Sequence, residues 1–361
     1  MMKRIALLFF ICLQAMLLAP THSHAQGSNL TIIVGYPPSG PTDLYARDFA
    51  RTLQEQSGST VTVINRPGQG GHTAAETLAS GSAEPNTVLL HNSYFRSARA
   101  ASLAPLAQIG ETALGIWLSP LGGSETAQEA AQGRWRSPAK GSNGNNIAHP
   151  NTPAALAYIM ANKSLFQLWL GGNVTPVAYN GAAPAMADAA QYGGLLVADL
   201  SSHEAAKAQN FKLIALSAPS LADTFGLPSS LGKLPGPTPL AVPIGIYAHP
   251  GLPAYYLQAL RTMMIQAASN KEFQAKGIAR YIAPQVRDSR YQNEMADQHN
   301  AFAKLAQTAI AKGATDLPQP YFLGDAGAVA ATQPAPNQPS PSKPALTRDD
   351  PKVFGRSMRG G

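Results

Sequence analysis

Between residues 31 and 91 the chain alternates short apolar runs with amphipathic ones, and this alternation restricts the fold more than any other feature. Residues 31–36, 61–65 and 87–91 are aliphatic, β-branched runs of strand length. Residues 42–56 place Tyr45, Ala46, Phe49, Ala50 and Leu53 on one helical face, and Gly58 follows as a stop. Thr73-Ala-Ala-Glu76 reads as a capping box that opens a short helix ending before Gly81. Strands separated by helices pair in parallel through right-handed crossovers, so the expectation is an α/β fold. Ligands on such sheets sit at the carboxyl ends of strands, beside a switch in strand order. The loops at 36–43 and 65–72 both occupy carboxyl ends.

The pattern continues less regularly. Residues 115–119, 174–179, 195–199, 211–218 and 244–248 read as strands. Helices are expected at 152–163, 184–191, 253–268 and 289–312, and residues 219–243 as mostly loop. A Gly/Asn-rich junction, Lys140-Gly-Ser-Asn-Gly-Asn-Asn146, precedes the first of these helices. Residues 324–361 are rich in Pro, Ala and Ser and bury too little surface to repay ordering, so a disordered tail is expected there. The remaining ordered length, about 300 residues, is enough to split into two lobes.

A basic start, Met1-Met-Lys-Arg4, leads into an apolar run and then Ser23-His-Ala25. This is the layout of a secretory signal peptide over residues 1–25, and it implies export to the periplasm. The single cysteine, Cys12, lies inside that segment, so disulfides, thiol catalysis and Cys-ligated zinc are not expected. Lys and Arg number 27 against 20 Asp and Glu, scattered without a basic stripe, which argues against nucleic acid as a partner.

The loop Tyr36-Pro-Pro-Ser-Gly-Pro-Thr-Asp43 exposes the first amides of a helix, where the dipole is positive. It holds no Lys or Arg and no nucleophile with an evident base, so it suits holding an anion rather than transforming one. There is no Gly-x-Ser-x-Gly elbow, no His-Glu-x-x-His and no phosphate loop. Gly68-Gln-Gly-Gly-His-Thr73 begins like a dinucleotide fingerprint, but Thr73 stands in place of the last glycine. The histidines show no metal-ligand spacing, and Asp43 has no second acid nearby to support catalysis. No catalytic residue, metal or cofactor is assigned.

Several segments resemble the extracytoplasmic solute receptors of tripartite tricarboxylate transporters, the Bug-type receptors. Ile32-Ile-Val-Gly-Tyr-Pro-Pro-Ser-Gly-Pro-Thr-Asp43 and Val63-Ile-Asn-Arg-Pro-Gly-Gln-Gly-Gly71 carry the likeness most specifically. Ser142-Asn-Gly-Asn-Asn146, Val177-Ala-Tyr-Asn-Gly-Ala-Ala-Pro-Ala185 and Ile246-Tyr-Ala-His-Pro-Gly-Leu-Pro253 are similar in the right order. The chain departs from the family at Ser39, where glycine is usual, and at Asn145, Ala178 and Asn180.

The resemblance implies a two-lobed periplasmic-binding-protein fold of type 2 character, with parallel-rich sheets and a hinge. Lobe one comprises residues 28–119 plus 246–321, and lobe two residues 120–245. It implies a monomeric, non-enzymatic receptor that holds a small carboxylate between the lobes and passes it to membrane permease subunits. A sensor kinase as recipient, or a secreted enzyme using the same cleft, are the alternatives. The expected ligand-binding residues are Tyr36, Ser39, Gly40, Thr42 and Asp43 from lobe one. Ser142, Gly144, Asn145, Asn146, Tyr179, Asn180 and Asp199 are expected from lobe two.

Overall fold

The computed structural model describes residues 29–288, apart from 82–85, 93–94, 96, 123–144, 171, 229–230 and 232–239. The expected signal segment, the helix at 289–312, the tail, Ser142 and Gly144 lie outside the described residues.

Lobe one begins with β1 (Leu30–Val34), α1 (Pro41–Ser57), β2 (Val61–Asn65), α2 (His72–Ala79) and β3 (Thr87–Asn92). β1 lies between β2 and β3 and is parallel to both. Strands covered on both faces can be apolar at every position, and β1 reads Leu-Thr-Ile-Ile-Val with four of five residues buried. α1 buries the stripe read from the sequence, and it ends at Gly58, whose left-handed φ of 69° lets its amide return to the Gln54 carbonyl. A short helix, α3 (Ala98–Ala101), leads into β4 (Ala104–Leu118).

Lobe two repeats the scheme with β5 (Asn146–Pro150), α4 (Pro153–Ala161), α5 (Lys163–Leu170), β6 (Thr175–Tyr179), α6 (Ala182–Tyr192) and β7 (Leu195–Asp199). Here β5 is the central strand, parallel to β6 and β7. A 3-10 turn (Leu200–Ser202) and α7 (His203–Ala208) precede β8 (Lys212–Leu216). β9 (Ala241–Ala248), α8 (Ala254–Ala268), α9 (Lys271–Ala279) and β10 (Arg287–Asp288) return the chain to lobe one.

The strands form one curled sheet in the order β2-β1-β3-β9-β4-β7-β5-β6, with β8 and β10 also paired to β4. Each lobe is thus a parallel trio with its first strand in the centre, flanked by one long antiparallel strand. β4 and β9 are the two crossing segments. β4 pairs with β9 from Ala104 to Ala113, then with β7 and β8 from Leu114 to Leu118. The passage between lobes therefore falls inside β4, near residues 111–114, rather than in a loop after it.

Separate cores pin the lobes. Lobe one packs Ile32, Tyr45, Phe49, Leu90, Met264 and Phe273, and lobe two packs Ile116, Ile147, Tyr158, Phe166 and Trp169. Arg280 anchors the end of α9 to α1 through Asp48 at 2.8 Å. Among the described residues, no helix is long and apolar enough to cross a membrane.

Candidate functional site

A cavity of about 410 Å³ lies between the lobes, at the carboxyl ends of both central strands. Lobe one contributes Tyr36 through Thr42, the β1–α1 junction. Lobe two contributes Pro150 and Thr152 at the β5–α4 junction, residues 181–184 and Met186 at the start of α6, and Asp199, Ser201, Ser202, Ala205 and Gln209 beyond β7. Among the described residues that line it, Asp199 carries the only charge, and there is no Lys, Arg or His.

The β1–α1 junction is braced from below. Asp43 is 1% exposed. Its carboxylate accepts from the Ser39 amide at 2.8 Å, from Asn65 Nδ2 at 2.8 Å and from Arg47 Nε at 2.9 Å. Burial alone raises the Asp43 pKa, but these three donors outweigh it and hold the group below its ordinary value. Asn65 Nδ2 also donates to the Tyr36 carbonyl at 3.0 Å, so the end of β2 fixes the end of β1. Ser39 sits in the left-handed region, at φ 62°. That explains why glycine would be at home there, and the Asp43 bond to its amide holds the conformation.

These contacts alter the expected roles. The Ser39 amide is spent on Asp43, and the Gly40 amide reaches the Pro37 carbonyl at 3.3 Å. The open donors at this junction are the first helical amides, those of Thr42 and Asp43, which no helix can satisfy from within. Gly40 is the N-cap of α1 and offers no side chain, while Pro41 has no N–H to satisfy. α6 opens in the same manner at Gly181, again without a side-chain cap.

Of the expected residues, the structure brings Tyr36, Ser39, Gly40, Thr42 and Asp199 together around the cavity. Asp43 does not line it and serves as the brace described above. Asn145 and Asn146 stand at the amino end of β5, where the Asn145 carbonyl accepts from the Thr175 amide at 3.1 Å. A cleft at the carboxyl ends of parallel strands lies at the other end of the sheet from them. Tyr179 and Asn180 end β6 next to the cavity without lining it. The Tyr179 carbonyl accepts from the amides of Asn151 and Gly181, and burial, then Asp188, pushes its phenol up to about 12.

The residues missed are Thr152, Ser201, Ser202 and Gln209. Thr152 had a legible signal: a Thr followed by Pro153 after a strand is an N-cap with proline at the first helical position. Ser202 had none, because only the packing shows where its hydroxyl points.

The second sequence junction, 65–72, does not line the cavity but closes it. Gly70, at φ 64°, lies so near lobe two that a Cβ there would sit 1.8 Å from the Asn151 carbonyl oxygen. Gly181 likewise faces Pro37, at 3.6 Å from an added Cβ to Cγ. Near the crossing strands, Tyr281 donates its hydroxyl to Glu204 at 2.6 Å and packs edge-on against His203 and Phe225. The lobes are thus shut against one another on more than one side of the cavity. Among the described residues there is no group of three or more His, Cys, Asp or Glu placed to hold a metal ion.

No family model matches the chain. Protein BugT of Bordetella pertussis (strain Tohama I) is 26% identical over 275 residues, covering 70% of this chain and 82% of that protein. The structure of the periplasmic binding protein BugD has a TM-score of 0.60 at 20% identity, covering 79% of this chain and 97% of its own. An R. palustris protein solved with adipate has a TM-score of 0.63 at 20% identity, covering 78% of this chain and 97% of its own. The likeness to BugT runs over most of both proteins and the two-lobed frame is shared with BugD, so the chain is similar in sequence and fold to Bug-type periplasmic binding proteins.

Proposed function

We propose that this protein is a periplasmic solute receptor that captures a small carboxylate between its lobes and presents it to a membrane permease. One observation carries the reading. A cavity lies between the lobes, with the uncapped starts of α1 and α6 on its walls and no basic side chain among the described lining residues. Helix starts bind anions through amide dipoles and ask for no cation. The R. palustris relative solved with adipate supports a carboxylate as ligand. BugD, a periplasmic binding protein, supports the compartment, in keeping with the signal-like residues 1–25.

Ligand release and capture follow the hinge in β4 and β9. A ligand favours the closed form only through contacts that it makes in that form and loses in the open one, at about 1.4 kcal/mol per tenfold in affinity. The shut arrangement at Gly70 and Asn151 is the form a permease would read. A thermal-shift panel of small mono-, di- and tricarboxylates tests the proposal. At 100 times its Kd a true ligand stabilises the protein by about 2.7 kcal/mol. If no carboxylate shifts the transition, while a neutral solute or an amine does, the reading is wrong.

A further inference from the structure

We propose that Ser202 is a ligand-binding residue of lobe two, and that the cavity it lines is built for a monocarboxylate with an apolar body. The proposal rests on the receptor reading above and names its substrate class. Ser202 stands at the N-cap position of α7, where a serine ordinarily accepts from an amide of the first turn. Here it makes no capping bond. The residue lines the cavity and is 3% exposed, and its buried Oγ has no hydrogen-bond partner in the protein. A buried hydroxyl left unpaired is costly, so a group entering the cavity is its natural partner.

The position of Ser202 tells which part of the ligand it meets. The turn that carries it comes within 8 Å of α1 in Cα separation. Gly181, at the start of α6, faces Pro37 across the cleft. The open amides of α1, the start of α6 and the turn that carries Ser202 thus border one cavity, which suits one carboxylate. Ser202, Ala205 and Gln209 are spaced along one face, and past Ser202 the wall turns largely apolar, with Ala205, Met186, Pro184, Pro150 and Pro38. Two of the polar groups there are committed. The Thr152 oxygen caps α4 through the Ala155 amide, and Gln209 donates to the Met186 sulfur.

The test is titration calorimetry on the mature full-length chain with hexanoate, phenylacetate, adipate and malate, repeated on Ser202→Ala and Ala205→Leu. The expected result is that a monoacid binds at least about tenfold tighter than either diacid, and that Ser202→Ala weakens it about tenfold, as loss of a hydrogen bond to a charged group does. Ala205→Leu narrows the apolar wall and is expected to abolish hexanoate and phenylacetate binding while acetate binding is kept. Unfolding midpoints within a few degrees of wild type confirm that both variants fold. The proposal is overturned if a diacid is the tightest ligand, or if Ser202→Ala changes the tightest monoacid by less than twofold. If no acid of this set or of the wider panel binds, the receptor reading itself fails, which is a different outcome.

Discussion

Two helices open at equivalent places in the two lobes, yet their first turns are finished differently. α1 follows β1, the central strand of the lobe-one trio, and α4 follows β5, its counterpart in lobe two. Both carry proline near the start, Pro41 and Pro153, which sets φ without losing a hydrogen bond. At α4, Thr152 accepts from the Ala155 amide at 3.3 Å and closes the turn. At α1, Gly40 has no side chain, so the amides stay open to the cavity. Lobe one thus supplies an unfinished helix start held rigid by Asp43. Lobe two supplies a finished start, and places an uncommitted hydroxyl nearby at Ser202. Equivalent topology has yielded an unfinished helix start directly after the central strand in lobe one, whereas lobe two places its unfinished start at α6.

The comparison requires the jaws to meet, and Gly70 is where that can be broken most severely. Gly70→Val puts a side chain where the Asn151 carbonyl now lies, at a positive φ that valine resists. It is expected to hold the lobes apart and weaken binding of any ligand found in the panel by about 100-fold or more. X-ray scattering would show an extended particle that no longer contracts with ligand, and contraction as in wild type would contradict this.

Asp43→Ala tests whether the rigidity of the lobe-one jaw is structural. It strips three donors of their common acceptor in a site that is 1% exposed. The expected loss is about 3 kcal/mol of unfolding free energy, read from urea denaturation. Thr152→Ala, which leaves α4 as unfinished as α1, is expected to cost only about 1 kcal/mol.

Acid separates the two lobes by degree. Burial lowers the pKa of His203 below its ordinary 6.5, and Lys207 adds to this while Glu204 opposes it. The ring is also faced by Trp117 and Tyr281. A base with a depressed folded pKa binds fewer protons folded than unfolded, so its contribution is complete above 6.5 and is lost as pH falls through the folded value. Asp43 follows the same sign lower down, its contribution failing only as pH drops below the ordinary carboxylate value of 3.8. Unfolding midpoints should therefore fall below about pH 6.5 and again in strong acid, and His203→Asn should remove only the first decline. The smallest effect is at Ser39. Ser39→Gly relieves a left-handed serine at φ 62° but loosens the unfolded chain, for a net gain of about 0.5 kcal/mol.

Local patterns made the first half of lobe one legible. β1, α1, β2, α2 and β3 lie within a few residues of where the apolar periodicity puts them, because each is specified by neighbours one to four positions away. The lobe-two jaw was harder to read. Of the Gly/Asn-rich run at 140–146, the described residues Asn145 and Asn146 stand at the amino end of β5. The facing junction is 149–153, whose His-Pro-Asn-Thr-Pro composition hides a strand end and a helix start together. Asp43 was readable as a residue of a first turn, but not as the acceptor for Ser39, Asn65 and Arg47, since Asn65 comes from a different strand.

The sequence by itself determined the alternation of strands and helices, the unfinished start of α1 and the lack of basic residues around it. These follow from side-chain type and short-range spacing, which act before any tertiary contact forms. Only the tertiary structure decided that Asp43 braces rather than binds, that Gly70 is a point of closure, and that Ser202 lines the cavity without capping its own helix. Each of those depends on atoms from segments far apart in the chain, brought together by burying two apolar cores and crossing between them on β4 and β9. Burial fixes which polar groups find partners, and at the cavity-lining Ser202 it leaves a hydroxyl without one.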